Sequence, residues 1–81
     1  MKNSILVYEL VSKTFKAEDS KPYTGYGIAK RLEGKTVPLI EDITTDAILL
    51  SNFVDLLNHA QLPLIHFEDV IDDFIASIAM L

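Results

Sequence analysis

Along this chain the spacing of apolar positions changes once. Up to about residue 43 they recur with a period of two; from residue 44 the period is near three and a half. The stretch SILVYELVS, residues 4–12, is β-branched and aromatic and reads as a strand. Leu6, Tyr8 and Leu10 face one way, and Ile5, Val7 and Val11 the other, with Glu9 among them. The polar run KTFKAEDSKP reads as a loop closed by Pro22. YTGYGIAKRL, residues 23–32, reads as a second strand whose glycines suggest a bulge or a close backbone approach. Glu33-Gly34 is a tight-turn signal. TVPLIEDI, residues 36–43, follows as a third strand, with Val37, Leu39 and Ile43 sharing a face with Glu41. Pro38 cannot donate to a ladder, so this strand belongs at an edge.

The helical period opens at Thr44, read as the N-cap, with Asp46 in the first turn and Ile43 and Ile48 as a hydrophobic staple. Leu49, Leu50, Phe53, Val54, Leu57 and Ala60 form the apolar stripe; Ser51, Asp55 and Asn58 form the wet face. Asn58 to Pro63 ends this helix. A second runs from about His66 to Ala79, with Phe67, Val70, Ile71, Phe74, Ile75 and Ile78 inward and Glu68, Asp69, Asp72 and Asp73 outward. The expected fold is α+β: a three-stranded antiparallel meander followed by a two-helix hairpin packed on one face, in the order β-β-β-α-α. The tail IASIAML reads either as a continuation of the core or, through Met80 and Leu81, as an interface with a second copy.

The 81 residues allow one domain, 1–81, with a thin stability margin offset by a hydrophobic fraction of 49%. Charge changes the picture more. The net value is −5, but residues 1–35 hold all seven Lys and Arg against four acids, whereas residues 36–81 hold eight acids and no Lys or Arg. The halves are therefore +3 and −8, a layout that repels phosphates and favours basic protein surfaces. No cysteine is present, which removes disulfides and thiolate chemistry and points to a reducing, cytoplasmic setting. No signal peptide or span-length apolar run is visible, so neither export nor membrane insertion is expected.

TGYGIAKR, residues 24–31, invites comparison with the base-stacking strand of RNA-recognition domains. Thr24 stands where a cation is wanted and Ile28 where a second aromatic is wanted, so Tyr26 and Ile28 read as core and no nucleic acid is expected.

A different resemblance is carried by a series of positions. It comprises Tyr8-x-Leu10-Val11, Tyr23-x-x-Tyr26-Gly27-Ile28, and Ile40-x-Asp42-Ile43-Thr44-Thr45-Asp46. Asn58-x-x-x-Leu62-Pro63 and His66-Phe67-x-Asp69-Val70-Ile71-x-Asp73-Phe74 complete it. Together they resemble a family of uncharacterised small proteins of Gram-positive anaerobic bacteria, known only as a domain of unknown function. In that family the turn before the second helix reads Leu-Ser-Pro-x-His-Leu; here Leu62-Pro63-Leu64-Ile65-His66-Phe67 displaces the proline and leaves the start of the helix open. The resemblance implies no activity, cofactor or catalytic residue.

Two site readings remain. The first is a non-enzymatic interaction or regulatory domain, homodimeric in one version, that binds a protein with a basic surface. Glu68, Asp69, Asp72 and Asp73 would make the contact, with Tyr23 and Tyr26 as aromatic anchors. The alternative is a divalent-metal-responsive binder built on His66, Asp69 and Asp73 at helical spacing, with His59 approaching from the preceding helix. The competing reading of that stripe is helix capping and solvation. No cofactor is expected, and neither the adjacent carboxylates nor the scattered hydroxyls are spaced for catalysis.

Overall fold

The computed structural model describes residues 5–16 and 18–79. Ser4, expected at the head of the first strand, and Met80 and Leu81 in the apolar tail lie outside them. Three strands, β1 (Val7–Phe15), β2 (Tyr23–Leu32) and β3 (Lys35–Thr44), form one antiparallel sheet in the order β1-β2-β3. Two helices follow, α1 (Ala47–His59) and α2 (Phe67–Ala79), separated by a short 3-10 turn, Leu64–His66. This is the expected α+β order, and the sheet packs on α1. β1 begins and ends about three residues later than its apolar pattern suggests, because Ser12 to Phe15 continue the ladder against Tyr26 to Tyr23.

The β2–β3 turn places Glu33 at φ 53° and Gly34 at φ 79°, the two successive positive φ values that match the twist of a hairpin. β3 carries Pro38 on its outer edge, as its missing N–H requires. Its register against β2 shifts on either side of Ile28. The expected shared face is therefore broken: Leu39 and Ile40 both reach the core, while Glu41 pairs with Lys13 on the opposite side of the sheet. Gly27 permits the shift between Tyr26 and Ile28. A Cβ there would overlap the Ile40 carbonyl oxygen and stand 2.7 Å from the Glu41 backbone.

α1 starts later than expected. Thr44 ends β3, and Asp46 is the cap, its carboxylate accepting from the Leu49 N–H at 3.0 Å. Thr44 Oγ1 accepts from the Asp46 N–H at 3.1 Å and holds the corner. The later start turns Ile48 outward, 75% exposed, so the expected staple does not form. Leu50 takes the inward place, with Val54 and Leu57.

Gln61, at φ 52°, closes α1 with bonds from Leu62 N to Leu57 O (3.1 Å) and from Gln61 N to Asn58 O (3.1 Å). Pro63 then opens the 3-10 turn, so α2 begins at Phe67 and not at His66. Phe67 and Ile71 are buried, and Phe74 stacks on Phe53 of α1 with ring centroids 3.9 Å apart. Val70, Ile75 and Ile78 are half-buried. The core is Tyr8, Ile28, Leu50, Val54, Leu57, Phe67 and Ile71.

Candidate functional site

Three surfaces are available: the junction where the helices meet β1, the sheet face turned away from α1, and the outward face of α2.

The junction centres on Tyr8, 2% exposed. Its ring stacks on Phe67 with centroids 5.6 Å apart and planes 13° apart, and its hydroxyl donates to the Leu62 carbonyl at 2.8 Å. Burial raises its phenol pKa above the ordinary value. Asn58 treats Tyr8 as a neighbouring strand would. The Asn58 carbonyl Oδ1 accepts from the Tyr8 N–H at 2.8 Å, and Nδ2 donates to the Tyr8 carbonyl at 2.8 Å. The side chain thus closes one rung of the β1 edge. Asn58 does not lie on the wet face expected of it. It stands four residues after Val54, on the buried side of α1, and that spacing is the signal that places it there.

The phenol of Tyr8 has a consequence for pH. A neutral buried phenol with a raised pKa holds its proton in the folded chain after the unfolded chain has lost it. Its contribution is fully present below the unfolded pKa near 10 and is lost as pH rises through the higher folded value. Urea midpoints are expected to fall with rising pH above that point, and the Tyr8→Phe variant to show a shallower fall over the same range.

On the far face of the sheet, Val7, Glu9, Val11, Lys13 and Phe15 of β1 line up against Arg31, Ala29, Gly27, Gly25 and Tyr23 of β2. Glu9 pairs with Arg31 at 3.3 Å and Lys13 with Glu41 at 3.7 Å. Tyr23 stacks on Phe15, centroids 5.4 Å apart, and donates its hydroxyl to Asp42 Oδ2 at 2.9 Å. That bond to a carboxylate, with smaller contributions from burial and the negative charge of Asp42, raises the Tyr23 pKa. Val11, Ala29, Pro38, Lys13 and Glu41 border a shallow groove of about 300 Å³.

Tyr23 and Tyr26, expected together as anchors, are on opposite faces: the odd-numbered position is on this open face, and Tyr26 packs against the core beneath the helices. Glu68, Asp69, Asp72 and Asp73 are all exposed on α2, as their spacing implies. His66 lies in the 3-10 turn and His59 at the end of α1, both exposed. Among the described residues no group of three His, Asp or Glu side chains is placed to hold a metal. No buried side-chain polar atom of the described residues lacks a partner. Among the described residues no helix is long and apolar enough to cross a membrane.

These features define a small α+β domain: a meander clasped to a helical hairpin through Tyr8, Asn58, Leu62 and Phe67, with an open sheet face and an acidic outer helix. The model of a family of unknown function, DUF6514, matches residues 1–77, and the chain belongs to that family. No curated protein and no solved structure matches the chain.

Proposed function

We propose that the domain performs no chemistry of its own and docks a protein partner with a basic surface through the outward face of α2. The observation that carries this reading is the arrangement of four exposed carboxylates. Glu68 and Asp72 are four residues apart, as are Asp69 and Asp73, so like charges face each other along the helix. Each such pair works against the helix by about 0.2–0.5 kcal/mol. Glu68 and Asp69, in the first turn, regain part of this from the helix dipole; Asp72 and Asp73 do not. Among the described residues none of the four has an ion-pair partner. A cationic surface is the complement that such a face lacks. The missing cysteines and the charge layout make a cytoplasmic partner the first to seek.

Neutralising Asp72 and Asp73 as Asp72→Asn/Asp73→Asn is expected to leave the fold intact, with a urea midpoint equal to or slightly above the parent's. A protein retained by the parent from host lysate should elute at raised salt and fail to bind the double variant. Retention of the same protein by the variant at unchanged affinity would contradict the reading.

A further inference from the structure

We propose that the domain self-associates by pairing β1 antiparallel with β1 of a second copy, about a two-fold axis at Ser12.

The two edges of the sheet are treated differently. On β3 the outer edge carries Pro38 and the neighbouring bulge, two devices that discourage strand addition. On β1 the ladder with β2 runs without a shift from Val7↔Arg31 to Phe15↔Tyr23. In such a ladder alternate residues turn both backbone groups outward. Tyr8 is one of them, since its N–H and C=O go to Asn58. The same phase turns Leu10, Ser12 and Thr14 outward. These three are exposed, and among the described residues nothing bonds to their outer groups. The open edge is thus a regular five-residue stretch, bounded at one end by the Asn58 clasp.

Its midpoint is Ser12, and a second copy satisfies it completely. Antiparallel pairing about Ser12 sets Leu10 against Thr14 of the second copy, Ser12 against its own equivalent, and Thr14 against Leu10. All six outward groups on each chain then gain partners. A slip of the axis to Val11 would bring Thr14 of the second copy onto Tyr8, whose groups are already bonded. Leu10, 36% exposed on the helix side, gains a cross-strand neighbour. On the open face the joined strands carry Glu9 and Lys13 twice each, a strip with no net charge.

Charge elsewhere fits the same geometry. Each chain is −5, so face-to-face contact of the acidic halves is opposed, whereas β1 belongs to the +3 half. Phe67 ties the acidic α2 to Tyr8. In the paired strands the two Tyr8 residues lie eight positions apart, about 27 Å, which keeps the acidic helices separate. The result is a six-stranded sheet whose open faces are continuous. The pairing is independent of what binds α2.

The chain has no cysteine, so single engineered thiols report the register. Across a hydrogen-bonded pair Cα atoms are about 5.5 Å apart, within reach of a disulfide. Ser12→Cys is expected to form a covalent dimer under mild oxidation. Thr14→Cys is expected not to, its equivalents being about 14 Å apart. Ser12→Pro should be monomeric by light scattering where the parent is dimeric, with unchanged circular dichroism, because an edge strand tolerates proline where the N–H faces out. A monomeric parent at millimolar concentration, a dimeric Ser12→Pro chain, or cross-linking of Thr14→Cys as fast as that of Ser12→Cys would each overturn the proposal. The two thiol variants decide the matter even if the proline variant fails to fold.

Discussion

Alanine at position 8 is expected to bring the domain to the edge of unfolding in plain buffer. The substitution removes a ring that is 2% exposed, its stack on Phe67 and the bond from its hydroxyl to Leu62 O. Removing a buried aromatic side chain costs about 3–5 kcal/mol, because the cavity only partly closes. A domain of 81 residues has roughly 4–12 kcal/mol in total. The loss therefore takes about a quarter or more of the margin, and most or all of it at the lower end. Tyr8→Phe keeps the ring and leaves the Leu62 carbonyl without its donor, a cost of about 1 kcal/mol. Tyr23→Ala is the control. That ring is 43% exposed on the open face, and its removal should shift stability by far less. Urea unfolding followed by circular dichroism ranks the three. A Tyr8→Ala midpoint no lower than that of Tyr23→Ala would show that the junction does not hold the helices to the sheet.

Asn58→Ala is expected to cost about 2–4 kcal/mol, a large effect for a half-buried polar residue. Both Tyr8 backbone groups lose their partner, and neither can turn to β2, because the ladder phase points them away from it. Asn58→Asp separates the hydrogen bonds from the shape of the side chain. It keeps an acceptor for the Tyr8 N–H but sets a second carboxylate oxygen against the Tyr8 carbonyl, where Nδ2 had donated. Near neutral pH it should be as harmful as alanine despite its matching size. Urea midpoints again provide the check. An aspartate variant as stable as the parent would show that side-chain packing, and not paired bonding, is what Asn58 supplies.

The order of elements was legible because each rests on local rules: alternation for β2, positive φ at Gly34, a proline at the β3 edge and a clean switch of period before α1. What was not legible depends on contacts between distant residues. The register shift between Tyr26 and Ile28 goes with how closely the Ile40–Glu41 backbone passes Gly27, and no spacing within β3 reports that. The cap moved from Thr44 to Asp46 because β3 keeps its ladder bonds up to Thr44. Asn58 looked like a surface residue by type, and only its place on the Val54 face of α1 ties it to a strand fifty residues earlier. The expected stripe of His66, Asp69 and Asp73 assumed a helix already running at His66, but Pro63 imposes a 3-10 turn there.

That reassignment bears on function. Tyr8, Asn58, Leu62 and Phe67 are among the positions that mark this sequence, and they meet in one junction that builds the fold. The two proposed contacts rest on residues outside it: four exposed carboxylates on α2 and an unguarded length of β1. The Asn58 clasp links fold to surface, because it ends the closed part of the β1 edge and begins the open part.

Residue-resolved amide hydrogen exchange reads both parts at once. In dilute solution the Tyr8 amide should be strongly protected while the Ser12 amide, on the same edge, exchanges freely; as chain concentration rises, Ser12 should slow and Tyr8 should not change. A Tyr8 amide that exchanges as fast as Ser12 in dilute solution would contradict the clasp, and with it this description of the edge.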